Sequence, residues 1–97
     1  MSDDNQPVER LYRATQQQII QAISYGGIDS IKIQRVGHLY VPIIVGRVYG
    51  VKKVHYTTAQ NRSGNIKYWG LATLSRWLQE HLKVDKAIIV FKEAILS

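Results

Sequence analysis

At 97 residues, with a net charge of +6 and a pI near 9.8, the chain has the length of one domain with a single modest core and excludes a second. Its hydrophobic share of 45% and charged share of 21% are those of a globular protein, so disorder is not expected beyond the termini. There are no cysteines, which excludes a disulfide framework, a thiolate metal site and a cysteine nucleophile.

Residues 1–6 are polar and acidic and read as a flexible tail, leaving 7–97 as one compact domain. Pro7 suits the first turn of a helix, where its missing amide proton is not needed. The stretch from Val8 to Tyr25 places Val8, Leu11, Thr15, Ile19, Ala22 and Ile23 on one stripe, which predicts an amphipathic helix that Gly26-Gly27 ends. From Ser30 the period changes to two: Ile31 and Ile33 alternate with Lys32 and Gln34 in a half-buried strand ending at Gly37. Leu39 to Val48 is apolar on both parities, as expected of a central strand covered on both sides. Pro42 cannot donate to a ladder, so an irregularity is expected there.

Val51–Thr58 and Ile66–Trp69 read as a hairpin around the polar loop Ala59–Asn65, with Arg62 at its tip. Leu71, Leu74, Leu78 and Leu82 share one face of a helix predicted from about Ala72 to Leu82. Ala87 to Phe91 is a last, β-rich run. The order α-β-β-β-β-α-β predicts an α+β fold, with an antiparallel sheet of four to five strands and two helices packed on one face. That order resembles the topology of double-stranded RNA-binding domains. Leu71-Ala72-Thr73-Leu74 stands where those domains use a basic helix start, so no function is carried across.

Charge is the strongest functional signal. Between Ser30 and Gln79 there is no Asp or Glu, against eight cations: Lys32, Arg35, Arg47, Lys52, Lys53, Arg62, Lys67 and Arg76. Residues 11–97 hold four acids and twelve bases, a balance of +8. Strand parity turns Ile31, Ile33, Val54, Tyr56, Ile66 and Tyr68 toward the helices. Lys32, Gln34, Lys53, His55, Thr57, Lys67 and Trp69 fall on the other face. A basic face with interleaved rings predicts nucleic-acid binding, DNA or RNA, through phosphates. Lys53, Arg62 and Lys67 are the expected backbone contacts, Arg47, Lys52 and Arg76 the supporting field, and Trp69 with His55 the stacking or edge contacts. The bland alternative is a solvated sheet face with Trp69 partly covered by a loop.

No cofactor or metal is expected, because His38, His55 and His81 lack ligand spacing and the acids are dispersed. Catalysis is not expected either. The surviving enzymatic option is a metal-independent ribonuclease using His55, Tyr56, Arg47, Arg62 and Lys67. Small basic ribonuclease toxins are similar in size and charge, though no motif of theirs is present. A third class is a protein-interaction module, such as a small inhibitor or adaptor from a mobile element, docking on an acidic or nucleic-acid-binding partner. It would include a homodimer through an edge strand such as Ala87 to Phe91. Salt separates these readings, since phosphate contacts weaken steeply with ionic strength and apolar interfaces do not. No helix pairs a strongly basic face with a broad aromatic one, so membrane-surface binding is not expected. The start lacks a basic, apolar leader and the Val41–Val45 run is too short to span a bilayer, which makes cytoplasmic residence the default expectation.

Overall fold

The structure is a computed structural model that describes residues 11–48 and 52–93. Its elements are β1 (Leu11–Ala14), α1 (Gln16–Gly26), β2 (Ile28–Val36), β3 (Leu39–Val48), β4 (Lys52–Thr58), α2 (Leu71–His81) and β5 (Ile88–Val90). They form an α+β fold with one five-stranded sheet in the order β1-β4-β3-β2-β5. The sheet is mixed and not antiparallel as expected: β1 runs parallel to β4 and β5 parallel to β2, while β3 opposes both its neighbours.

This pairing decides where the helices go. The connections β1-α1-β2 and β4-α2-β5 each join parallel strands, and both travel across the sheet toward the β5 edge. Right-handed crossovers made in the same direction put both helices on the same face. The core agrees, uniting Ile19 of α1 and Leu74, Trp77 and Leu78 of α2 with Ile31, Ile33 and Ile44 of the sheet. Among the described residues the opposite face, called the outer face below, has no helix on it. No helix among the described residues is long and apolar enough to cross a membrane.

The first element corrects the sequence reading. Leu11–Ala14 is a strand, in register with His55–Thr58 of β4, and α1 begins only after Thr15. The Thr15 side chain accepts from the Gln18 amide at 3.2 Å and Gln18 Oε1 accepts the Thr15 amide at 2.9 Å. This reciprocal capping box fixes the helix start, so the Leu11 and Thr15 positions of the expected stripe lie ahead of the helix. Pro7 and Val8 lie outside the described residues. The added strand also separates this order from that of double-stranded RNA-binding domains.

Pro42 produces the expected irregularity. Tyr40 exchanges both backbone hydrogen bonds with Trp69 at 2.8 Å, so Pro42, two residues on, turns its donorless nitrogen to the same side. The β3–β4 ladder accordingly stops at Ile44↔Tyr56. Ile66–Trp69 is not a full strand but two isolated bridges, Ala59↔Ile66 and Tyr40↔Trp69, filling the gap between the strand ends. The second helix and the final strand lie within a residue or two of where the sequence put them.

Thr15→Ala removes the cap while leaving β1 in place, so it is expected to cost about 0.5–2 kcal/mol in a urea melt. A loss no larger than that of an exposed Gln17→Ala control would mean that β1 pairing, and not the cap, sets the helix start.

Candidate functional site

Register assigns side chains to the outer face. Arg13 pairs with Thr57, His55 with Val45, Arg47 with Lys53 and Lys32 with Ile43, and these positions alternate with the core residues Ile31, Ile33 and Ile44. The helices contribute almost no charge: α1 has no charged residue, and α2 has Arg76 against Glu80. The positive balance of the chain therefore sits on strands and connections, with Arg13, Lys32, Arg47 and Lys53 on the outer face.

Arg47 and Lys53 stand directly opposite each other, an arrangement in which like charges repel. Asp29 resolves the repulsion. Arg47 Nε and Nη2 donate to Asp29 Oδ1 at 3.1 and 2.8 Å, and Lys53 Nζ lies 3.2 Å from Oδ2. The hydrogen bonds from Arg47, and then from Lys53, hold the Asp29 carboxyl below its ordinary pKa of 3.8. The stability from this ion pair is fully present above pH 3.8 and is lost as pH falls through the lower folded-state value, so the bridge persists throughout the neutral range.

Two glycines set the position of Arg47. The last residue of α1, Gly26, lies so close to Arg47 that a Cβ there would overlap the Arg47 carbonyl. Gly27 accepts the Arg47 amide at 3.3 Å with φ 78° and ψ 179°, a conformation that glycine almost alone adopts. The pair ends the helix, as its sequence implies, and also docks that end on the strand carrying the cation.

The remaining predicted site residues are dispersed. Trp69 is 5% exposed, stacks on Trp77 with ring centroids 5.4 Å apart, and donates from Nε1 to Thr58 Oγ1 at 2.8 Å. Its ring is in the core and offers no face to a base, contrary to the sequence reading. Lys67 lies on the same side, with Nζ 2.7 Å from Gln16 Oε1 and 4.3 Å from the Trp69 ring centroid. The physical reason is parity. Ile66–Trp69 does not continue the β4 ladder; Ile66 pairs with Ala59 on the outer side, which turns Lys67 and Trp69 inward and leaves Tyr68 outward. Arg62 is exposed in the 59–65 loop, Arg76 is exposed on α2, and His55 is half-buried on the outer face. Lys52 opens β4, but its side chain lies outside the described part of the chain.

The residues weighed for ribonuclease chemistry do not assemble on one face, because His55 and Arg47 are outward while Tyr56 and Lys67 are on the helix side. Among the described residues no three His, Asp or Glu side chains gather as a metal site. Arg35 is committed locally, donating from Nε to Gly37 O at 2.9 Å and from Nη1 to Phe91 O at 3.3 Å. The sequence reading passed over Arg13, which reaches the outer face only because β1 is a strand. The signal that could have found it is the Thr15-x-x-Gln18 capping box. No family model, curated protein or solved structure matches the chain.

Trp69→Ala is expected to destabilise the fold by about 3–5 kcal/mol in urea, with Trp69→Phe recovering part of the loss. A small effect would mean that the indole is not buried against Trp77. Gly26→Ala and Gly27→Ala should each cost about 1–3 kcal/mol, by overlap and by backbone conformation respectively. Because Gly27 holds the Arg47 amide, both variants should shift the NMR resonances of Arg47, and unmoved Arg47 and Lys53 resonances in Gly26→Ala would refute the close helix–strand contact as the reason.

Proposed function

We propose that this domain binds nucleic acid through its outer sheet face, mainly by phosphate contacts. The observation that carries the reading is the placement of Arg13, Lys32, Arg47 and Lys53 around a centre of Thr57, His55, Ile43 and Val45, while the two helices on the other face carry almost no net charge. Arg13 on β1 and Lys32 on β2 are three strand spacings apart, about 14 Å, and the Arg47–Lys53 pair lies four residues along β4 from Thr57, about 13 Å. Such a frame spans several phosphates, since one nucleic-acid strand carries a charge about every 3.4 Å of axis.

Lys53, Arg13 and Lys32 contact phosphates in this reading, Arg62 reaches from the loop, and Lys52 and Arg76 add to the general field. His55 is the polar group at the centre. With both tryptophans in the core, cations outnumber rings on the face, where Tyr68 is outward and 41% exposed. Affinity should therefore follow phosphate density more than base unstacking, without a strong preference for single strands.

A second reading has one observation in its favour: Ile88 and Phe91, at the β5 edge, are 70% and 61% exposed. Pairing of that edge with a second copy, or with an adaptor's target, would cover them and would be insensitive to salt.

Fluorescence anisotropy with single- and double-stranded DNA and RNA across a salt series, with the protein's mass recorded in each buffer, tests both readings. The double variant Arg13→Ala/Lys32→Ala is expected to weaken binding on every sequence. It should also flatten the salt slope by about 1.4–1.8, at about 0.7–0.9 per phosphate contact. An unchanged slope would move the site elsewhere, and no binding at low salt would overturn the reading and leave the protein partner in front.

A further inference from the structure

We infer that Asp29 is an internal anion that fills the Arg47–Lys53 cradle and sets a charge threshold for any ligand that displaces it, so that polyanions are admitted and isolated phosphates are not. The inference rests on the nucleic-acid reading for its ligand and deepens it by assigning selectivity to one residue.

Three donors converge on the Asp29 carboxylate, two from the Arg47 fork onto Oδ1 and one from Lys53 onto Oδ2. A guanidinium fork backed by an ammonium is the donor set that recognises a phosphate's oxygens as readily as a carboxylate's. The cradle is at the surface, with the Arg47 and Lys53 side chains 41% and 53% exposed and that of Asp29 25% exposed. Asp29 can also leave without cost to the ladder. Ile28 pairs with Gly46 and Ser30 with Val45, which makes Asp29 the extra, unpaired residue of a bulge.

Selectivity follows from how each competitor arrives. Asp29 is tethered beside the cations, so its effective concentration is of the order that intramolecular contacts enjoy, and a free phosphate must exceed that to replace it. A nucleic-acid strand already held at Arg13 and Lys32 presents its next phosphate to the cradle intramolecularly as well. The carboxylate is then displaced only by ligands long enough to span the frame.

Asp29→Asn and Asp29→Ser, with thermal unfolding as a folding control, test this in two arms. In the first, oligonucleotide binding should tighten about three-fold or more at fixed salt, and the salt slope should steepen by about one phosphate contact. In the second, inorganic phosphate should move the Arg47 Nε–H resonance in the variants and leave the parent's unmoved. Unchanged affinity and slope in both variants, while the parent binds, overturns the inference. If the parent binds no oligonucleotide, the nucleic-acid reading fails on its own. The phosphate arm still decides the cradle: a shift confined to the variants sustains it, and a shift in both or in neither overturns it.

Discussion

The handedness of the two crossovers governs the rest of the molecule. Each joins a pair of parallel strands and each passes over β3, so both helices are driven onto one face and β3 becomes the floor of the core. Full burial of aliphatic side chains such as Ile19, Ile44 and Leu74 contributes about 1.5–3 kcal/mol apiece, and all of them lie in that one layer. The outer face is left to satisfy itself without a helix. It does so unevenly: cations surround it, while Val41, Thr57 and Ile66 are buried on that side and Thr57 Oγ1 has no hydrogen-bond partner among the described residues.

The same constraint separates the two ingredients of a nucleic-acid surface. The aromatic residues of the acid-free segment look like base platforms when read beside its cations, yet the tryptophans serve the core. Trp69 arrives on the short segment that fills the gap at Pro42, and its stack on Trp77 ties that segment to α2. Lys67 follows it inward, where its ammonium sits against the indole and its hydrogen bond to Gln16 reaches the start of α1. What remains outside is mainly charge, with Tyr68 in place of the tryptophans, which is why phosphate contacts lead the functional reading.

Periodicity made much of this legible in the sequence. The alternation of Ile31 and Ile33 with Lys32 located β2, and the leucine stripe located α2 to within a residue at each end. Pro42 announced its own gap. The first strand was hidden because Leu-Tyr-Arg-Ala is short enough to fit either a helical stripe or a strand, and only pairing with β4 decides between them. The parity of Ile66–Trp69 was lost for a related reason, since it depends on where the loop re-enters the sheet and not on local pattern. Asp29 was invisible as a site residue because its partners are eighteen and twenty-four positions away.

Why a strand pair would carry Arg47 opposite Lys53 is best answered by weighing what the Asp29 bridge can do. Ion pairs this exposed contribute little to stability, so the bridge is a weak reason to keep three charges where neutral β formers would pair without repulsion. Its larger effect is on organisation. It orients the Arg47 fork, keeps two cations adjacent that would otherwise splay apart, and spends one negative charge to do so. With the Gly26–Gly27 turn pinning the Arg47 backbone from the other side, the cation pair is held at a fixed place on the sheet from above and below. A surface that needed only solubility would gain nothing from that order, whereas a surface that meets a spaced row of anions gains preorganisation, and with it a lower entropic cost of binding.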